Sequence, residues 1–550
     1  MSSKITRFFP VICLAAIVLS LCLPSDARAA GGIYVNDANG TLGSDITNSY
    51  AVGSGGTVAI VGDSYVLTGN GIVKLGDGGS VQPGVPSGAE DGTTIAVKTT
   101  TVRVGLSYAG DAKTSANLEN KDGSGYKFGY FDANRVFVEV GSTAETKLTM
   151  VPDVNTAVTG GTIGAYHVRL GSYGSFVDAK NAAAAYTGGF PAYYNGTYYA
   201  MAGNYNSSAD AQAAATSLGG QTFTASNRAV AVTKTGTTQI LFEFDYGTTA
   251  YLGVLPVSAN GKAVTWYSGY AYYGGFEYYR YHSDKLTVIN VVDIEDYVKG
   301  VIPYEMSNSW PAEALKAQAV CARTYFARNV NGLPQYRMDV YNTAQSQVYR
   351  GTNLANATTN AAVDSTAGRY VTHNGTFCST LYYSSNGGGS EDSENVFVTA
   401  LPYLRGVLDP YEKDAASINS RNTWTQTVSK ATISSKINAT GKTFGTLASF
   451  DVTYSKTGNA IAVTFTDTQG RTAVFERGSC FDIFYYRIGL YSIHFTYEIS
   501  GDNVVFNGGG WGHSVGMSQF GAYAMAKNHG FNYLQIIRYY YTGVNISKGV

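Results

Sequence analysis

Two periods of apolar and polar residues divide this chain. From Thr101 the run Thr-Val-Arg-Val-Gly-Leu-Ser alternates at nearly every step, and Leu286 to Val292 is almost continuously apolar; both read as β-strands. Beyond Pro311 the period lengthens to that of a helix. Leu315, Ala319, Ala322 and Phe326 fall on one core-facing stripe, while Gln318, Ala322, Tyr325 and Asn329 fall on a second. Between strand and helix, Asp293 to Gly300 reads as a short helix with acidic residues at its start and glycine at its end, so Asp293, Glu295 and Asp296 are capping groups. The next residues, Val301-Ile-Pro-Tyr-Glu305-Met, then form a loop. Pro303 favours an extended Ile302 and Pro311 suits a first helical turn, which holds Glu305 between two rigid points.

Upstream the pattern repeats. His167…Gly171-Ser-Tyr173…Asp178-Ala179 is echoed by Tyr199…Gly203-Asn-Tyr205…Asp210-Ala211, a constant offset of 32 residues. Each unit predicts a strand ending at glycine, a turn, and an Ala-rich helix starting at the Asp, and two units make a βαβ pair on a small sheet. Downstream, Ala361–Gly368 reads as a helix and Gly368–Tyr383 as a hairpin turning at His373-Asn374-Gly375. Two glycine-rich stretches come next, Tyr383 to Glu391 and Gly508 to Gly516, the second running into a helix from near Ser518 to Gly530. The first is either a loop that admits a ligand to the backbone or a plain surface turn. The aromatic cluster from Trp266 to Tyr279 is either a packed sheet face or a platform for sugar rings.

Composition narrows the function. Net charge is −1 and only 14% of the 550 residues are charged, so there is no basic field for nucleic acid. Tyrosine (44) and glycine (65) are over-used instead; tyrosine, with a flat apolar face and a polar tip, suits carbohydrate as well as β surfaces. Lys4 and Arg7, an apolar run from Phe8 to Leu23, and Ala27-Arg28-Ala29 read as a secretory signal peptide over residues 1–29. Leu21 before Cys22 disfavours a lipoprotein site, and the run is short for a membrane anchor. Cys321, Cys378 and Cys480 would remain, too few and too scattered for a disulfide framework, although a Cys378–Cys480 bridge stays open.

The segment from Val301 to Tyr325, with Pro303, Glu305-Met, Trp310 and Glu313-Ala-Leu-Lys-Ala-Gln-Ala-Val-Cys-Ala-Arg-Thr-Tyr, resembles the first signature of the SpoIID/LytB family, the stage II sporulation protein D and amidase-enhancer proteins. Gly510-Trp-Gly-His513-Ser-Val-Gly-Met-Ser518-Gln519 resembles its second. The 32-residue repeat resembles a SPOR domain, a module whose relatives bind glycan strands stripped of stem peptides. The resemblances imply an α+β fold: a mainly β catalytic domain with helices (236–550, with an N-terminal β part at 99–159), a small βαβ-repeat glycan-binding module at 160–235, and a Gly/Ser/Thr-rich β segment at 30–98.

What the resemblance implies chemically is a lytic transglycosylase acting on peptidoglycan glycan strands outside the cytoplasm, in sporulation or wall remodelling, with Glu305 as acid and then base. Such an enzyme needs one carboxylic acid, because the sugar's own C6 hydroxyl attacks C1, whereas ordinary glycosidases use two. The expected substrate-binding residues are Gln318, Arg323 (to the lactyl carboxylate), Tyr325, Ser385, Asn386, His513, Ser518 and Gln519, with Tyr173 and Tyr205 as sugar contacts of the repeat module. Ser514 stands where the family often has glycine. Some members bind zinc through Cys and His in the segment matching Tyr341–Gln347; neither residue type occurs there, so no metal and no cofactor are expected. The alternative reading is a non-catalytic wall module that stimulates an amidase. Membrane contact is expected only through an uncleaved signal.

Overall fold

The computed structural model describes residues 85–550 apart from 260 and 283, together with four strand segments between Ile33 and Lys74. Chain contacts divide the protein into two units, Met1–Ser80 and Val81–Val550, and the strands and helices from Thr94 onward build the second. The expected signal peptide lies outside the described residues. No described helix is long and apolar enough to cross a membrane.

Two sheets carry the N-terminal half of this second unit. The strands expected at 101 and 286 pair antiparallel in a seven-stranded sheet ordered Val340–Tyr341, Thr101–Ser107, Lys285–Asp293, Gly275–His282, Leu252–Pro256, Tyr126–Phe131, Phe137–Thr143. Leu286 to Val292 are all buried, which is why that strand reads as continuously apolar rather than alternating. Its buried Asn290 is satisfied by donating to the Tyr273 and Gly275 carbonyls and accepting from the Tyr349 hydroxyl. Tyr267, Tyr272, Phe276 and Tyr278 are buried too, so the aromatic cluster is mainly sheet packing.

The second sheet has ten strands and contains the repeat. Tyr166–Tyr173 is followed by helix α1 (Phe176–Ala183), and Thr197–Tyr205 by α2 (Ser208–Leu218). Each helix begins two residues before the Asp, with Ser175 or Ser207 as N-cap accepting from the backbone N–H of Asp178 or Asp210. With Gly189–Tyr194 and Gln221–Thr224 the order of elements is βαββαβ, the split βαβ arrangement. The sheet is not the small one expected. Gly189–Tyr194 pairs parallel with Ile240–Asp245, and strands from outside 160–235 continue the sheet beyond it. Tyr173 and Tyr205, equivalent in sequence, sit at opposite ends of an antiparallel pair, opposite Tyr198 and Tyr166 respectively. That separates them by about seven strand positions, roughly 24 Å.

Helix α3 (Ile294–Glu305) leaves the Lys285–Asp293 strand with Asp293 as its cap. It does not end at Gly300. That glycine is buried mid-helix because a Cβ there would stand 2.5 Å from the Tyr349 ring and 2.7 Å from the Gly351 carbonyl. Pro303 lies inside the helix near its C-terminal end, where its ring removes a single N–H donor. Ile302 is therefore helical, and Glu305 is the last helical residue rather than a loop residue. Helix α4 (Ala312–Arg328) begins a few residues later, with Leu315, Ala319, Ala322 and Phe326 fully buried as the stripe predicts. Helix α5 (Ala357–Ser365) starts earlier than expected, capped by Asn356, and the 369–377 hairpin turns on Asn374 and Gly375, both at positive φ. The three remaining cysteines are free and buried.

Gly300→Ala is expected to lower stability by about 1–2 kcal/mol, overpacking against Tyr349 outweighing the gain in helix propensity. Urea unfolding of the variant checks this; an unchanged or raised midpoint would show that α3 can move off Tyr349.

Candidate active site

Aromatic packing brings the two sequence motifs together. The Trp310 ring lies 5.0 Å from Phe520 and 5.2 Å from Tyr523, both on the Gln519–Asn528 helix. Glu313 accepts from the Tyr533 backbone N–H at 2.8 Å, and the Cys321 thiol meets the Tyr541 hydroxyl at 3.6 Å. The short strand Tyr382–Tyr383 then pairs parallel with Met517–Ser518, which lays Tyr382 beside the end of α3.

Glu305 is mostly enclosed where these pieces meet. Its Oε1 faces the Val348 N–H at 3.4 Å, its Oε2 faces the Gln519 side-chain amide at 3.3 Å, and the Tyr382 hydroxyl is a third partner. Tyr382 accepts from Gln347 Nε2 at 3.1 Å, and Gln347 Oε1 accepts from the Tyr297 hydroxyl at 2.9 Å. With its oxygen already accepting, Tyr382 directs its own proton toward Glu305. Burial pushes the Glu305 carboxyl above the ordinary glutamate range, and the hydrogen bonds only partly reverse this. Among the described residues no other carboxylate acts on it. Tyr382, Gln347 and Val348 are not among the residues that the sequence singles out. Gln347 and Val348 lie in or beside the segment that bears only on zinc ligands, and nothing in their spacing marks them.

Of the expected substrate residues, Gln519 reaches Glu305 and Tyr325 bonds Ser346 in the adjoining segment. Gln318 is fully buried, with neither amide atom hydrogen-bonded. Arg323 is fully buried and grips Glu295 through Nε at 2.9 Å and Nη2 at 2.6 Å. Its guanidinium is thus internally paired, and Glu295 is an ion-pair partner rather than a cap.

Ser385, Asn386 and Ser518 converge on the buried carboxylate of Glu412. Both serine hydroxyls and the backbone N–H groups of Asn386 and Gly387 donate to it, while the Asn386 amide donates to Asp409 at 2.7 Å. Burial raises the pKa of Glu412, with the Asp409 charge adding to the effect. Around this anchor the two glycine-rich stretches pack backbone on backbone: a Cβ on Gly387 would stand 2.5 Å from Gly509, and one on Gly510 would stand 2.7 Å from the Ser385 carbonyl. The close approach that these glycines permit is to another loop. His513 has both nitrogens engaged, Nε2 donating to the Tyr382 carbonyl at 3.1 Å and Nδ1 accepting from the Val515 N–H at 3.1 Å. Burial holds its pKa down to about 4, so it is a neutral brace behind Tyr382.

Comparison with known proteins gives concordant findings. A family profile described as "SpoIID: Stage II sporulation protein" matches residues 282–373. An uncharacterized protein of Brachyspira hyodysenteriae is 36% identical over 296 residues, covering 51% of this chain and 73% of that protein. Stage II sporulation protein D of Bacillus subtilis is 31% identical over 275 residues, covering 47% and 75%. The amidase enhancer of Bacillus subtilis is 29% identical over 298 residues, covering 46% of this chain and 40% of that protein.

Ser514 has φ of +60° and a buried hydroxyl without a hydrogen-bond partner. Ser514→Gly is expected to stabilise the protein by about 1 kcal/mol, relief of both costs exceeding the added freedom of the unfolded chain. Denaturant titration reads the change, and a lower midpoint would contradict it.

Proposed function

The chain belongs to the stage II sporulation protein D (SpoIID) family, and from that premise we propose that it is an extracytoplasmic lytic transglycosylase cutting peptidoglycan glycan strands at the MurNAc–GlcNAc bond. The observation that carries this reading is the desolvated carboxyl of Glu305, whose pKa burial raises above the ordinary glutamate range. In the proposed step the Glu305 carboxyl protonates the glycosidic oxygen as the C1–O bond breaks. The C6 hydroxyl of the same muramic residue closes on C1, and the Glu305 carboxylate takes the proton that hydroxyl loses. The product is a 1,6-anhydro end, and Glu305 returns to its protonated form.

Gln519 and Tyr382 orient the carboxyl in both forms. The Gln519 amide N–H and the Tyr382 hydroxyl stabilise the anion left after proton donation, which prevents the carboxyl from becoming too weak an acid. Gln318, Arg323, Ser385, Asn386, His513 and Ser518 act behind this surface, holding the elements that bear Glu305 and its partners. Tyr173 and Tyr205, both partly exposed, are proposed as two separate sugar contacts rather than one platform.

Glu305→Gln is expected to reduce release of anhydro products from denuded glycan by at least about a hundredfold with folding retained. In the wild type, kcat/KM should fall as pH rises through the Glu305 pKa, above the usual glutamate range, because only the protonated form donates. Near-native turnover by the variant, or reducing ends in place of anhydro ends, overturns the mechanism.

The amidase enhancer among the relatives supports a second reading, a wall-bound stimulator of an amidase. Stimulation would survive Glu305→Gln, whereas cleavage would not. For the repeat, Tyr173→Ala and Tyr205→Ala are each expected to weaken binding of the full chain to denuded glycan, with additive effects since the sites are far apart. Unchanged binding in the double variant rules out sugar stacking at both.

A further inference from the structure

Away from Glu305, the ten-stranded sheet buries an ionisable group that the proposed cleavage does not use. His167 on Tyr166–Tyr173, Glu243 on Ile240–Asp245 and Asp153 just beyond Lys147–Pro152 bring one nitrogen and two carboxylate oxygens within 4.8 Å of one another. Their side chains are wholly enclosed. His167 Nδ1 lies 2.7 Å from the Gly203 carbonyl, which can only accept, so Nδ1 carries a proton. In the neutral ring Nε2 is then a lone pair, and it faces Asp153 Oδ2 at 3.2 Å and Glu243 Oε2 at 3.4 Å. Burial alone would lower the ring's pKa, yet Glu243 and Asp153 outweigh it and hold it up to about 9, so without an ion Nε2 carries a proton between the two carboxyls, the place a metal ion would take.

The second observation is Glu243 itself. Fully buried, it meets no hydrogen-bond donor in good geometry on either oxygen. The Tyr194 hydroxyl, also buried without such a bond, adjoins it. Burial pushes its pKa well above the ordinary glutamate value, so without a cation it is held as the neutral acid, and a cation would let it ionise. Asp153, Asp245 and Glu243 also act on the Arg280 guanidinium, as does the solvent-exposed Asp284. Asp245 is already engaged by Ser226 and Gly247, and Arg280 donates to the Ser226 and Ala229 carbonyls.

We propose that Asp153, His167 and Glu243 bind a structural divalent transition-metal ion of the zinc class. The 3.2 and 3.4 Å separations match the roughly 3.3 Å ligand-to-ligand edge of a tetrahedron with metal–ligand bonds of 2.0–2.1 Å. Holding Nδ1–H on a backbone carbonyl is how a metal-bound imidazole is oriented. The fourth position faces Tyr194 or takes a water. A divalent ion would take the place of the protons on His167 Nε2 and Glu243, and it would tie together strands that are distant in the chain. This is at odds with the sequence expectation of no metal, which rests on Tyr341–Gln347 alone; the three ligands here are far apart in the chain and follow no motif spacing.

The test uses the full chain, unfolded in urea with EDTA and refolded after dialysis with or without Zn2+ or Co2+. The expected results are about one metal per chain by mass spectrometry, a tetrahedral-type visible spectrum with Co2+, and a higher melting temperature with metal than without. Glu243→Gln and His167→Asn should lose the bound metal, and Glu305→Gln should keep it, which separates this site from the proposed cleft chemistry. If the two ligand variants fail to fold, uptake and spectrum of the refolded wild type decide. Absence of uptake by the wild type, or undiminished uptake by folded ligand variants, overturns the proposal, leaving a cluster balanced by protons.

Discussion

The geometry around Glu305 depends on the contact between the end of α3 and the start of the Gln519–Asn528 helix. Trp310, wedged against Phe520 and Tyr523, fixes the distance between them, and at that distance the Gln519 amide faces the Glu305 carboxyl. Neither helix could position an acid alone. α3 supplies a carboxyl at its C-terminus, where the helix dipole disfavours a negative charge, and the second helix closes over it so that water is largely displaced. Burial and dipole act in one direction, toward a protonated acid.

The polar groups behind this contact are arranged in two tiers. The chain Tyr297–Gln347–Tyr382–Glu305 is short and ends on the Glu305 carboxyl. The second tier, Glu412 with Ser385, Asn386, Gly387 and Ser518, never reaches the cleft, yet it decides where the first tier sits, because Ser518 both caps the Gln519 helix and donates to Glu412. A buried carboxylate that accepts donors from two distant segments can bind them in only one relative placement. The Glu295–Arg323 pair does the same for α3 and α4, with Arg323 also reaching the Val363 and Arg369 carbonyls.

Holding shape in this way uses residues that look like ligand-binding groups. Serine, asparagine, histidine and arginine in glycine-rich surroundings suggest a binding loop, and in sequence they cannot be told from groups that brace one loop against another. The difference lies in what occupies their hydrogen-bonding positions. His513 has a carbonyl on one nitrogen and an N–H on the other, and Asn386 has Asp409 on its amide and the Gly388 N–H on its oxygen.

By itself the sequence determined what depends on near neighbours. The strands at 101 and 286, the α4 stripe, the two strand–helix units of the repeat and the Asn374-Gly375 turn all follow from local periodicity and backbone preference, and the family resemblance was legible because the motif around Glu305 is long and contiguous. Tertiary structure alone decided that α3 runs through Gly300 and Pro303 to Glu305, since the reason for Gly300 is a ring and a carbonyl some fifty residues away. It alone put Gln347 and Tyr382 behind the acid, turned Arg323 inward to Glu295, separated Tyr173 from Tyr205, and gathered Asp153, His167 and Glu243. Each of these is set by which segments meet across the core, and pairing between distant segments leaves no period in the chain to read.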